Sequence, residues 1–219
     1  GKRLWVKRNK DGSWDAFSDD GAHIKFGKGR GQFTPGDLMK VALAGCAALS
    51  SQFAIEHTLG EGKGAKIVVP AGTYYIKGPI VLASNICLEL QKGATLKFAP
   101  EEKYYPIVNT SWEGTFLYNY SPLLYAYGCK NVSIIGEGTI DGNAMTTFAK
   151  WKPNQKKAQQ LSRKMNHEEV PVSERKFGDG YWLRPQLVQL YNCQGITLEG
   201  VKITNSPFWC IHLLKSENI

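Results

Sequence analysis

The stretch from Lys63 to Phe98, KGAKIVVPAGTYYIKGPIVLASNICLELQKGATLKF, leaves few folds open. Its runs of four to six β-branched and aliphatic residues (KIVV, TYYI, PIVL, ICLEL, ATLKF) are cut by Pro-Ala-Gly, Lys-Gly, Ala-Ser-Asn and Lys-Gly-Ala, with no helical period. This is strand and turn. Similar runs open at Asn85-Ile86, Asn131-Val132, Gly195-Ile196 and Asn218-Ile219, at gaps of 46, 64 and 23 residues. A coil of 23 residues accounts for these as two turns, one turn with an insertion of about 41, and one turn. A short strand set returning at a fixed period describes a solenoid, whose coils bury their apolar faces only on one another. The expected fold is mainly β, a right-handed parallel β-helix. Residues 63 to 98, 121 to 142 and 185 to 219 should form its successive coils, with Val68, Ile80, Ile86, Leu88, Val132, Ile134, Ile196, Leu198 and Ile203 pointing inward.

Ahead of the coils, residues 2 to 31 read as a three-strand meander: RLWVKRN, WDAFS and HIKFG, joined at Lys10-Asp11-Gly12-Ser13 and Asp19-Asp20-Gly21. A helix follows. Thr34 supplies a capping hydroxyl, Pro35 the first helical position and Asp37 an acid in the first turn, while Leu38, Val41, Gly45, Leu49 and Phe53 keep one stripe to about His57. That stripe is expected to cap the first coil. Between 143 and 184 the strand pattern breaks for a basic insertion with a short helical run, QKKAQQLSRKM, before YWLRPQLVQLYN returns to strand.

Charge locates the insertion as a feature of its own. Of the net charge of +8, residues 61 to 142 hold seven basic and seven acidic side chains, whereas residues 143 to 184 hold nine and four. A basic excess confined to one insertion raises the local concentration of a polyanion. The five cysteines (46, 87, 129, 193 and 210) are widely spaced with no C-x-x-C pair, which argues against a disulfide framework and against zinc. Cys87, Cys129, Cys193 and Cys210 lie in or beside strand runs and read as buried thiols. No apolar run is long enough to span a bilayer, so no membrane partner is expected.

Residues 61 to 219, with VPAGTYYIKGPIVLASNICLELQKGATLKF, EGTIDG, YWLRP and GVKITNSPFWCIHLLKSENI, resemble the N-terminal half of glycoside hydrolase family 28, the polygalacturonases. The resemblance implies a pectin-lyase-like β-helix acting on galacturonan, an acidic polysaccharide, rather than nucleic acid, with no cofactor and no metal, in a secreted or periplasmic setting. It places Arg184, Asn205, Trp209 and His212 toward the substrate cleft, Arg184 to pair with a galacturonate carboxylate and Trp209 to pack beneath a ring. Inverting glycosidases need two carboxyl groups about 6.5 to 9.5 Å apart. The family's aspartate motifs do not occur here: between 61 and 219 the only aspartates are Asp141 and Asp179, each in an Asp-Gly turn. The chain is therefore expected to be truncated before the catalytic pair and inactive as a hydrolase, and to leave its last coil open for self-association; the alternative is a glycan-binding or structural β-helix without catalysis.

The string FTPGDLMKVALAGCAALSS resembles a different family, the osmotically induced protein C and organic hydroperoxide resistance proteins. That resemblance would make Cys46 a peroxide-reducing thiol and residues 1 to 60 a separate segment spliced to the β-helix.

Overall fold

The structure, a computed structural model, describes residues 3–19, 21–27 and 64–219. The predicted helix from Pro35 to His57, and Cys46 with it, lie outside the described residues.

Three short strands, β1 (Leu4–Arg8), β2 (Trp14–Ser18) and β3 (His23–Phe26), pair antiparallel in that order. From Ala65 onward the chain is a coil stack. Each turn lays down three strands: β4 (Ala65–Val69), β5 (Gly72–Ile76) and β6 (Ile80–Leu82), then β7 (Ile86–Leu90), β8 (Ala94–Phe98) and, after an excursion, β11 (Leu124–Tyr127). The excursion is an antiparallel hairpin, β9 (Ile107–Trp112) and β10 (Thr115–Tyr120), turning at Glu113-Gly114. A third turn holds β12 (Lys130–Gly136), β13 (Thr139–Asp141) and β14 (Val188–Tyr191). The fourth holds β15 (Gln194–Glu199), β16 (Lys202–Thr204) and β17 (Ile211–Leu214). Stacking produces three four-stranded parallel sheets, ordered β15-β12-β7-β4, β16-β13-β8-β5 and β17-β14-β11-β6.

Register converts the apolar runs into columns. Ile67, Leu88, Ile134 and Leu198 lie opposite one another in the first sheet, and Tyr74, Leu96, Ile140 and Ile203 in the second. In the third sheet Ile80, Leu124, Val188 and Ile211 align. Leu88, Ile134, Leu96, Ile140, Leu124 and Val188 are at most 1% exposed, so these columns are the core. Val68 is the exception among the residues expected inside, at 37% exposed. The pairing of Ile67 with Leu88 points Ile67 and Val69 inward and Lys66 and Val68 out. Three consecutive aliphatic residues carry no alternation, so only the neighbouring strand could set their phase.

The corners explain why the runs open with Asn or Gly. Asn85, Asn131, Gly195 and Asn218 have φ of 63°, 54°, 72° and 53°, a left-handed conformation that Gly and Asn adopt most readily. They stack as a ladder, and Asn131 Nδ2 donates to Asn85 Oδ1 at 3.0 Å. Contact between these two asparagines shows that the 46-residue gap is one turn carrying the hairpin, not two turns of 23. The 64-residue gap is one turn with an insertion, as expected, and its helix α1 (Lys156–His167) falls on the predicted helical run. Strand does not return at YWLRP but only at Val188. Of the cysteines read as buried, Cys129 and Cys193 are, Cys87 is half-buried and Cys210 is exposed.

Candidate functional site

The sheet β17-β14-β11-β6 turns its second face away from the core, and the chemistry gathers there. Alternation along the strands puts Val81, Tyr125, Gln189 and His212 in one outward column. An outward residue would normally be solvated, yet Gln189 is 3% and His212 7% exposed, because the β9–β10 hairpin lies over this face. Three of its polar groups hold the facing segment. Gln189 Nε2 donates to Thr110 Oγ1 (3.0 Å), Gln186 Nε2 donates to the Ser111 carbonyl (2.8 Å), and Asn119 Nδ2 donates to the Leu183 carbonyl (2.9 Å). His212 Nδ1 lies 3.0 Å from Gln189 Oε1, an acceptor, which sets Nδ1 as the protonated nitrogen and leaves Nε2 an acceptor.

Beside this network runs an aromatic row. Trp112 stacks on Phe208 (centroids 5.0 Å, planes 8° apart), Phe208 on Trp209 (5.0 Å, 12°), and Trp209 meets the His212 ring edge to face (4.9 Å, 74°). Burial falls along the row, from Trp112 at 1% exposed to Trp209 at 41%, so its outer end presents a ring to solvent on a rigid base. The Arg184 guanidinium sits 4.8 Å over the Phe208 ring, donating from Nε to Gln155 Oε1 (2.8 Å) and from Nη1 to the Pro207 carbonyl (3.2 Å). Trp112 Nε1 in turn donates to the Arg184 carbonyl at 3.0 Å. Burial pulls the Arg184 pKa down against the opposing pull of the Glu113 carboxylate, and a guanidinium stays charged regardless. No carboxylate among the described residues pairs with it, so this half-buried cation retains free donors and a demand for an anion.

Three of the four residues singled out from sequence therefore meet: Arg184, Trp209 and His212, joined through Phe208. Asn205 does not join them. Its Nδ2 donates to Asp141 Oδ1 (2.8 Å) at another corner, and the same oxygen accepts from Asn143 N (2.8 Å), so Asp141 is a turn residue, as its Asp-Gly spelling implied. Gln155 and Gln189 sit in the cluster but were not singled out, while Trp112 was one of the many aromatic residues between 100 and 128 open to either a cleft or a core. Phe208 was legible in NSPFW, whereas Trp112 reaches Arg184 across 72 residues and carries no local signal. Among the described residues no group of three metal-ligating side chains exists, and no helix is long and apolar enough to cross a membrane.

The burial of His212 predicts a pH dependence. Burial lowers its pKa below the usual 6.5, so the native chain holds it neutral while the unfolded chain protonates it. Its contribution to stability is present above pH about 6.5 and is lost as pH falls through the native value. Urea midpoints measured from pH 7.5 to 5 should decline, and His212→Gln should flatten that decline; an equal decline in both would place its origin elsewhere.

No family model matches the chain. It is 24% identical over 159 residues to an endo-polygalacturonase of Pectobacterium carotovorum subsp. carotovorum, a match covering 68% of this chain and 34% of that protein. Among solved structures, a hyperthermoactive exopolygalacturonase from Thermotoga maritima superposes with a TM-score of 0.70 at 44% identity, over 76% of this chain and 39% of that one. The family 28 exopolygalacturonase of Yersinia enterocolitica superposes at 0.53 with 21% identity, over 99% and 43%. The chain spans about a third of the length of the curated relatives it matches. It is homologous to polygalacturonases and polygalacturonase-like in sequence and fold.

Proposed function

We propose that the chain is the galacturonan-gripping part of a polygalacturonase-type glycoside hydrolase module, wound as a right-handed coil, the hand that strand twist favours in parallel crossovers. The observation that carries this is the joint placement of a half-buried Arg184, which forms no ion pair among the described residues, and a solvent-facing Trp209 on one stacked aromatic base. Galacturonate offers a carboxylate to a guanidinium and an apolar ring face to an indole, and no neutral sugar offers both.

Cleavage needs an acid and a base, and this cluster holds neither. Its charged member is Arg184, its titratable member the buried His212, and Asp141 is tied into a turn. This cluster thus supplies grip rather than bond breaking. A glycan-binding solenoid without hydrolysis would share the grip, so the release of reducing ends from polygalacturonate separates the two; these 219 residues are expected to release none. Binding is the sharper test. Arg184→Ala should weaken trigalacturonate binding tenfold to a hundredfold, the equivalent of about 1.5 to 3 kcal/mol for a charge-assisted hydrogen bond. Methyl-esterified trigalacturonate, lacking the charge, should bind both proteins alike. Undiminished trigalacturonate binding by a folded Arg184→Ala protein, or by Trp209→Ala, would remove the assignment.

A further inference from the structure

A second surface is built by the residues next in sequence to Gln155 and Leu183. The start of α1 and the loop at Gly180–Trp182 enclose an open groove of about 910 Å³, lined by Lys156, Lys157, Leu161, Tyr181 and Trp182 among others, with no acidic side chain in the lining. The groove is in the size range of small-ligand sites. Its two rings are exposed but held from behind: Trp182 (40% exposed) meets Trp151 edge to face at 5.5 Å and 88°, and Tyr181 (38%) meets the buried Phe177 at 4.9 Å and 68°. Neither lysine has a carboxylate partner among the described residues, although Arg163 and Lys164 further along the same helix have Glu113 and Glu168. Trp182 also holds φ at +61°, a left-handed conformation that bulky side chains rarely adopt.

We propose that this groove is a second uronate-binding site, in which Lys156 and Lys157 receive the carboxylates of an acidic sugar chain and Trp182 and Tyr181 pack against its rings. The proposal rests on the reading of Arg184 and Trp209 as a galacturonate grip and extends it. Charge complementarity selects the occupant: two ammonium groups without a carboxylate partner among the described residues call for an anion, and two buttressed rings call for flat apolar faces between the charges. An acidic peptide supplies the first without the second. Gln155, next to Lys156 in sequence, bonds Arg184, so one residue links the groove's first lysine to the Arg184 cluster, and engagement of both by one long chain is the expected binding mode.

The test compares calorimetric titrations of the full chain with tri- and octagalacturonate. Wild type should bind the octamer more tightly than the trimer. The double variant Lys156→Gln, Lys157→Gln should lose about tenfold for the octamer and its excess salt dependence while keeping trimer affinity. Trp182→Gly, which removes the ring together with the strained backbone, should lose octamer affinity without losing thermal stability. The proposal is overturned if the double variant binds the octamer as wild type does, or if polyglutamate of matched charge competes equally well. Failure of wild type to bind the trimer would instead defeat the Arg184 grip itself, a distinct result.

Discussion

Gly136→Ala is expected to prevent this chain from folding stably. Gly136 has φ of +112°, and a Cβ there would lie 2.1 Å from the Leu90 carbonyl oxygen, with its carbon at 2.9 Å. That oxygen cannot yield, because it accepts from both Glu137 N and Gly138 N at 3.0 Å and so closes the corner between two coils. The next coil repeats the demand, for a Cβ on Gly200 would meet the Gly136 oxygen at 2.4 Å. Backbone strain of roughly 1 to 3 kcal/mol and two disrupted hydrogen bonds of about 1 kcal/mol each sum to a large part of the stability a domain has. Gly114→Ala serves as the comparison, since its φ of +83° is similar but nothing lies within 4 Å of the added atom. Circular dichroism and soluble yield should be near wild type for Gly114→Ala and lost for Gly136→Ala. Equal behaviour would show that close coil approach is not what requires glycine.

Ile134→Ala should lower unfolding free energy by about 2 to 5 kcal/mol. Ile134 is fully buried between Leu88 and Leu198, and a coil stack has no second layer that could collapse into the space. Val68→Ala, in the neighbouring column position of the same sheet, should change stability by no more than about 0.5 kcal/mol, because Val68 faces solvent. Denaturant midpoints of the two variants decide the register of the first coil. A cost at Val68 comparable to that at Ile134 would mean that KIVV is shifted by one residue.

Much of the architecture was already decided by local chemistry. Runs of β-branched residues fix strand, asparagines and glycines at the run starts fix left-handed corners, and the recurrence of both fixes a stack of parallel coils. The 46-residue gap between the Asn85 and Asn131 openings could not separate two turns from one turn carrying a hairpin, because length alone does not say where a chain leaves the stack. Only the contact between Asn85 and Asn131 decided it. The phase of KIVV was likewise undetermined, since three aliphatic residues in a row satisfy either face until Ile67 is paired with Leu88.

The site divides along the same line. Arg184, Trp209 and His212 were named from the resemblance carried by YWLRP and NSPFWCIH, and the fold brings these three side chains together. What the sequence could not express is their environment. Trp112 beneath Phe208, Gln155 on Arg184 and the hairpin lid over His212 come from segments far apart in the chain, brought together by coil stacking. Asn205 shows the converse: it has the expected identity and lies in the expected motif, yet it bonds Asp141 because the corner where the coil turns claims its amide. Residue type sets what a side chain can bind, and tertiary packing sets which of its groups remain free to do so.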